Sequence, residues 1–329
     1  MRRRDMLMLG LLAPSVAASM PATTSAQDRY PSRPVRLAIP AAAGGVHDVI
    51  GRVWAEKIRP HFGPVVIDNR GGGGGLIAAT DVARAQPDGY TLLMGSTTTH
   101  VLITPLLANP PYDPVKDFAA VAVFAYSSTS VVIHPSVPAR TLAELIEYAK
   151  ANPRKLSYGS AGNGSITNLA GELFKQRAGG LDIVHVPYKG IGPVLIDLLS
   201  GQIPMLSANA TAQILELHRA GKVRILSVNS QTRIRGAPEI PTSIEAGLPG
   251  MEAQTTFGIF APAATPRPIL DRINAVTQHV MADEQFQKEL LMLGFEPLLG
   301  VGPDQAAAVL QDELVRWTPI LKTVGTKPE

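Results

Sequence analysis

Pro40-Ala41-Ala42-Ala43-Gly44-Gly45-Val46-His47-Asp48 leaves an apolar run at 35–39 and enters a stretch with helical spacing (Val49, Ile50, Val53, Trp54, Ile58). The same setting recurs at Tyr158-Gly159-Ser160-Ala161-Gly162-Asn163-Gly164-Ser165, between a strand-like run at 156–160 and a helix at 167–177. A glycine turn at a helix N-terminus presents unpaired backbone N–H groups and the positive end of the helix dipole. Each turn is therefore an anion trap made of main chain. Two of them predict two walls closing on one acidic ligand.

Outward from the first turn, Val-Val-Ile before Asp68 reads as a second strand, Leu76 to Ala85 as a small-residue helix, and Tyr90 to Gly95 as a third strand. This β-α-β-α-β rhythm predicts a parallel sheet with crossover helices. Gly71 to Gly75 reads as a structural turn. Two apolar strand-like runs follow between Phe118 and Ile133. Thr141, with Glu144 three residues on, caps a helix over 142–151. Strands at 183–187 and 223–229 and a helix at 192–200 repeat the rhythm, which predicts a second domain. The last part holds a strand at 256–261 and helices at 268–281 and 303–321. In such sheets ligands sit at the C-terminal ends of strands, where both glycine turns fall.

The chain has 329 residues, 45% of them hydrophobic, and no cysteine. Disulfides, Cys-bound zinc and Cys nucleophiles are excluded. Arg2, Arg3 and Arg4 precede an apolar run from Met6 to Met20, and Thr24 and Ala26 fit the −3 and −1 sites of a cleavage signal. Residues 1–26 thus read as a secretory signal peptide, and Arg3-Arg4-Asp5-Met6-Leu7 favours a twin-arginine type. The expected location is periplasmic. The formal charge of +3 belongs partly to this segment. Without it the chain is near neutral, with no basic run carrying interleaved aromatics, so nucleic acid is not an expected partner.

Motifs for chemistry fail one by one. Tyr158 stands where a nucleophile elbow needs glycine. Gly71 to Gly75 lacks the Lys-Ser/Thr of a phosphate loop, and neither turn completes G-x-G-x-x-G. His47, Asp48 and His100 lack metal-ligand spacing. No cofactor, metal or catalytic residue is expected. The chain has sites for holding and few for reacting.

In order along the chain, Tyr30-Pro31-Ser32-Arg33-Pro34-Val35-Arg36, Gly44-Gly45-x-x-Asp48, Asn69-Arg70 with its glycines, Pro87-Asp88-Gly89-Tyr90-Thr91-Leu92, Ser160-Ala161-Gly162-Asn163-Gly164-Ser165, Leu169-Ala170-Gly171-Glu172-Leu173-Phe174, Val186-Pro187-Tyr188-Lys189-Gly190, Glu245-Ala246-Gly247-Leu248-Pro249-Gly250 and Phe260-Ala261-Pro262 carry a resemblance. The chain resembles the periplasmic solute receptors of the tripartite tricarboxylate transporter system, the Bug or TctC-like family. The resemblance implies an α/β, two-domain, type II periplasmic-binding (Venus flytrap) fold, each domain a mainly parallel sheet flanked by helices. One domain would comprise 29–128 plus 253–329 and the other 129–252. It implies a monomeric receptor that binds a small organic carboxylate and delivers it to a membrane permease of the tripartite type.

Carried over, the first wall is Ala43, Gly44, Gly45, Val46, His47 and Asp48. The second is Ser160, Ala161, Gly162, Asn163, Gly164 and Ser165. The loop from Ser96 through Thr98 to His100 lines the cleft, with Asn209 and Phe257 as further candidates. His100 stands between cleft and surface, Phe257 between cleft and core, and Asp48 between capping helix amides and supporting the turn. His47 departs from the small or hydroxylated residue common there, and Asn168 stands where a histidine is common. Pro204-Met205-Leu206-Ser207-Ala208-Asn209 replaces an Asp-x-x-Phe-Asp-Asn pattern, which removes two acids. That points away from an amino-acid ligand and toward a mono- or dicarboxylate, aromatic ones included. A receptor for a sensor kinase, and an exported hydrolase relying on His47 or His100, are the alternatives.

Overall fold

The computed structural model describes residues 30–324. The segment read as a signal peptide, 1–26, lies outside the described residues. The first three strands are β1 (Val35–Ile39), β2 (Val65–Asn69) and β3 (Thr91–Ser96), linked by helices α1 (Val46–Phe62) and α2 (Leu76–Ala83). β1 pairs in parallel with both β2 and β3. In α1 the buried residues Ile50, Trp54 and Ile58 fall on one face. That is the i, i+4, i+8 stripe of a helix on a sheet. The Trp54 indole N–H donates to Thr277 Oγ1 at 3.2 Å. The helix ends at Gly63, whose φ is +95°.

One strand, β4 (Phe118–Ile133), then passes through both sheets. Its sequence reads as two runs because Tyr126, Ser127, Ser128, Thr129 and Ser130 interrupt the apolar pattern. Those hydroxyls are nonetheless buried or nearly so, because here the chain passes from one sheet to the other. Residues before Thr129 pair antiparallel with β9 (Gln254–Pro262). From Thr129 onward they pair antiparallel with β7 (Met205–Asn209) and β8 (Arg224–Val228).

The second sheet adds β5 (Ser157–Ser160) and β6 (Val184–Pro187), with β5 parallel to both β6 and β7. Around it lie α3 (Leu142–Ala151), α4 (Ile166–Arg177), α5 (Ile191–Leu199) and α6 (Ala212–Arg219). Thr141 caps α3 as expected, its hydroxyl accepting from the Glu144 N–H at 3.2 Å. The chain returns through β9, then adds α7 (Arg267–Met281), α8 (Glu284–Met292), a short β10 (Glu296–Pro297) and α9 (Pro303–Val324). The first sheet therefore reads β2-β1-β3-β9-β4-β10 and the second β6-β5-β7-β4-β8. The parallel rhythm holds in the outer strands of each. The shared β4 and the returning β9 run against it.

This α/β architecture has two lobes and one seam. At the seam the Thr129 N–H and hydroxyl both donate to the Ala253 carbonyl, at 2.9 and 2.8 Å. Asn229 Nδ2 donates to Thr129 Oγ1 at 2.8 Å. α9 ties the lobes as well. Its buried Trp317 shares one apolar cluster with Val101 and Leu102 from the first lobe and Ile166 and Leu169 from the second. Among the described residues no helix is long and apolar enough to cross a membrane.

Candidate functional site

The first turn is held from below by Asp48, which is 3% exposed. Its carboxylate accepts from the Gly44 N–H at 2.8 Å, from Arg52 Nε at 2.9 Å and from Asn69 Nδ2 at 2.9 Å. Burial would raise its pKa, but Arg52, the Gly44 N–H and Asn69 together hold it below the usual carboxylate range. Asn69 also donates to the Ala41 carbonyl at 3.2 Å. Asp48 is thus spent on shaping the turn, and a fixed anion with all its donors taken does not receive a second anion. Asn69 stands in the sequence reading only among the residues that carry the resemblance; its part in the turn was hidden because it sits at the end of β2, distant in the chain and adjacent in space.

What the turn presents is main chain. The Gly45 N–H is used, donating to Ala42 at 3.1 Å. No side chain caps α1. The N–H groups of Val46, His47 and Asp48 have no carbonyl one turn back to meet. They are the donors left for an outside acceptor. Ala42, Ala43 and Gly44 are exposed around them.

His47 contributes a side chain beside these amides. Its Nε2 lies 2.8 Å from Ser96 Oγ, and its ring meets the Phe257 edge with centroids 5.2 Å apart. Burial pushes its pKa down to about 4, so the ring is neutral at physiological pH. It offers hydrogen bonding rather than charge. Phe257 is fully buried, packed between His47 and Phe295. It supports the wall from behind and does not line an opening.

The loop after β3 folds inward as a wide turn over Thr98–Leu102, closed by the Ile103 N–H on the Thr98 carbonyl at 3.0 Å. Ser96 sits under His47, and Thr97 accepts from the Thr256 N–H at 2.9 Å. Thr98 is 6% exposed. His100 does not reach the cleft. It is 1% exposed, stacked on Phe260 at 3.8 Å and edge-on to Phe118, with Nδ1 bonded to Thr99 Oγ1. Burial lowers its pKa to about 3. It is a core residue, enclosed by Phe118 and Phe260. Asn209 is likewise spent, its Nδ2 donating to the Ser127 carbonyl at 3.1 Å and to Thr255 Oγ1 at 2.9 Å across the seam.

The second turn is more closed than its sequence implies. The Ala161 N–H donates to Thr167 Oγ1 at 2.9 Å, Gly162 to Ser160 Oγ at 3.1 Å and Gly164 to Asn168 Oδ1 at 3.0 Å. Ser165 caps α4, its hydroxyl accepting from the Asn168 N–H at 3.2 Å. Among the described residues of this turn, Asn163 is the one whose main-chain N–H is not drawn inward. Ser160 is fully buried and faces His185, not a cleft.

The glycine run brings the two turns together. A Cβ placed at Gly71 would lie 3.0 Å from the Ala42 nitrogen, and one at Gly74 would lie 3.9 Å from the Asn163 carbonyl. Gly72 to Gly75 all have positive φ. The run therefore lies between the two turns, and its positive φ values are what call for glycine there. Glu313 of α9 is a further group absent from the sequence reading. It comes within 3.5 Å of Thr256 Oγ1 and pairs with Arg316 at 2.9 Å. Burial pushes its carboxyl up, against the pull of Arg316. A separate surface groove of about 650 Å³ runs past Arg36, Ile77 and Asp81 on the outer side of α2. Arg36 is paired there with Asp68 and Asp81, at 2.8 and 2.6 Å, so that charge is already neutralised.

Residues 50–326 match the family described as the tripartite tricarboxylate transporter family receptor. The "UPF0065 protein in tcbD-tcbE intergenic region" of a Pseudomonas species is 36% identical over 317 residues, covering 94% of this chain and 93% of that protein. Two solved structures from Rhodopseudomonas palustris are also similar. One, solved with adipate, has a TM-score of 0.86 and 35% identity, covering 91% of this chain and all of that one. The other, MatC with bound malate, has a TM-score of 0.82 and 31% identity, covering 89% and all, respectively.

Proposed function

The chain belongs to the tripartite tricarboxylate transporter receptor family, and from that premise we propose that it is an exported, periplasmic receptor that binds a small organic carboxylate between its two lobes. It hands that ligand to a membrane permease of the tripartite type. One observation carries the carboxylate step: an uncapped α1 N-terminus whose first turn is fixed by a buried, fully paired Asp48, opposite a second glycine turn. A carboxylate oxygen accepts from the N–H groups of Val46 and His47, and Asn163 meets it from the second lobe. Charge-assisted N–H bonds contribute roughly 1.5–3 kcal/mol each. Several of them hold an anion without an arginine clamp and leave release easy on reopening. The two dicarboxylates seen with similar proteins, adipate and malate, define the chemical class to test first.

The test is a thermal-shift panel of mono-, di-, tri- and aromatic carboxylates, with amino acids included. A ligand at about a hundred times its Kd adds about 2.7 kcal/mol to the native state, which raises Tm by roughly 5 °C in a protein of this size. We expect that shift for one carboxylate class and none for amino acids. A folded protein whose Tm no carboxylate moves overturns the reading.

A single substitution separates stability from binding at the same amides. Gly45→Ser supplies the cap that α1 lacks. Gly45 has an ordinary φ of −71°, which serine adopts, although a Cβ there lies 3.1 Å from the Ala42 carbonyl oxygen and 3.3 Å from the Ala41 Cβ, so the turn must give slightly. A new Ser hydroxyl accepts from the first-turn amides and stabilises the helix by roughly a few tenths of a kcal/mol relative to glycine. It also occupies the donors that the ligand needs. The expected result is a ligand-free Tm within roughly 1 °C of the wild type with roughly tenfold weaker carboxylate binding. Unchanged affinity in the folded variant removes the α1 amides from the site.

A further inference from the structure

The second turn carries a chemical feature that the anion trap alone does not require. Asn163 is followed by Gly164, and it is the one asparagine of the chain with glycine after it. Asparagine is thermolabile because the next residue's main-chain nitrogen attacks its side-chain carbonyl carbon. Glycine, with no Cβ, leaves that nitrogen least hindered. Asn163 is partly exposed, and among the described residues its carboxamide bonds to no protein group. Asn229, followed by Ser230, is the contrast. It is 1% exposed, its Nδ2 donates to Thr129 Oγ1 and its Oδ1 accepts from the Ser243 hydroxyl.

We propose that Asn163–Gly164 is a site of spontaneous deamidation, that conversion there turns the second turn from one that accepts anions into one that repels them, and that Asn168 sets the rate. The reaction balances with water alone. The Gly164 nitrogen gives its proton to solvent hydroxide and bonds to Asn163 Cγ. The Cγ–Nδ2 bond breaks, and ammonia leaves with a proton returned by water. The cyclic imide then adds water at either of its carbonyls, which gives an aspartyl or an isoaspartyl residue at position 163. The sum is one water consumed and one ammonia released.

The brake acts on the nucleophile. The Gly164 N–H donates to Asn168 Oδ1 at 3.0 Å, in a buried contact. To reach Cγ the nitrogen must leave that oxygen and lose the same hydrogen. Asn168 does not follow it. It is fully buried in the first turn of α4, its N–H donates to Ser165 Oγ at 3.2 Å, and its Nδ2 donates to the Tyr158 hydroxyl at 3.2 Å. Attack therefore waits for a local opening of the turn.

The site itself stands on the residues of the turn; its consequence rests on the carboxylate-receptor reading. A carboxylate at position 163 lies just before the α4 N-terminus, where the helix dipole favours an acid. It is then a fixed anion beside the one main-chain N–H that this turn offers to a ligand. A second carboxylate approaching that N–H meets a like charge. The isoaspartyl product also adds a carbon to the main chain between positions 163 and 164, which moves the Gly164 amide away from Asn168.

The test holds the full-length protein at pH 8 and 37 °C for weeks and reads each asparagine by peptide mapping in a mass spectrometer. Position 163 should convert before every other asparagine, and more slowly than in the urea-unfolded chain. Folded Asn168→Ser, whose shorter side chain leaves the Gly164 N–H without its acceptor, should convert about fivefold faster than the wild type. Where that variant does not fold, sub-denaturing urea on the wild type replaces it: Gly164 amide exchange and conversion should rise by the same factor. An intact position 163 while other asparagines convert overturns the site. Equal rates in the wild type and the folded variant, or conversion indifferent to Gly164 exchange, overturn the brake. By calorimetry, Asn163→Asp should bind adipate and malate about tenfold more weakly than the neutral control Asn163→Ser. Equal affinities overturn the repulsion. If no carboxylate binds the wild type, the receptor reading falls, and conversion at position 163 still decides the modification.

Discussion

Asp48→Ala is expected to lower stability by about 3 kcal/mol and to weaken carboxylate binding at least ~100-fold. The side chain is 3% exposed, and every donor it satisfies becomes an orphan when it goes. The Gly44 N–H loses its 2.8 Å acceptor, and Asn69 Nδ2 keeps only the Ala41 carbonyl. The turn then has no reason to hold the Val46 and His47 amides in place. One effect runs the other way. Arg52, released from Asp48, adds free positive charge near the site. Its side chain is 53% exposed, so solvent screens that attraction and the loss of geometry wins. Asp48→Asn keeps the shape but turns an NH₂ toward donors, and should cost less, about 1–2 kcal/mol. The sign with pH follows from the lowered folded-state pKa. The carboxylate's contribution is complete above the ordinary carboxyl range and is lost as pH falls through the lowered value. Denaturant unfolding at pH 7 and pH 3 checks it: the gap between wild type and Asp48→Ala should narrow at pH 3. Wild-type affinity in Asp48→Ala sinks the bracing role.

Much of this was legible in the sequence, for an identifiable reason. Glycine turns at strand–helix junctions are local features, and the residues that make them are contiguous. The structure places both turns at strand ends, and Thr141 caps its helix as expected. What local pattern does not reveal is where a side chain spends its hydrogen bonds. Ser160 and Ser165 look alike in the sequence. Yet Ser165 caps α4, and Ser160 points away from the cleft to His185, a residue on the neighbouring strand. His100 looks as available as His47, but one inward turn buries it between Phe118 and Phe260. Asn209 reads as a polar residue at a strand end and is consumed by the seam. The length of β4 was hidden because buried hydroxyls at 127–130 mimic a loop. The glycine run was read as a turn, which it is; that it also spans from Ala42 to Asn163 depends on the lobes meeting.

The second large effect is expected at Gly162. Its φ is +125°, a conformation essentially closed to residues with a side chain, and a Cβ there would sit 3.0 Å from the Tyr188 carbonyl. That oxygen belongs to backbone. The Tyr188 N–H is bonded to the Ser160 carbonyl at 3.2 Å, so the segment cannot withdraw without breaking the ladder that positions the turn. Gly162→Ala therefore faces conformational strain of roughly 1–3 kcal/mol together with a contact that cannot relax cheaply. We expect a stability loss of about 3 kcal/mol and a second turn rebuilt around a different φ, with the Gly162–Ser160 bond gone. Gly44 is the control. Its φ is +80°, but nothing lies within 4 Å of a Cβ, so Gly44→Ala bears the left-handed strain alone, about 1 kcal/mol. The contrast tests whether the two turns are equivalent anion traps or a rigid one facing an adjustable one. Equal losses in stability and affinity for the two variants favour equivalence. A far larger loss of binding in Gly162→Ala, beyond what its lower stability accounts for, means that the second turn's backbone geometry completes the site when the lobes close.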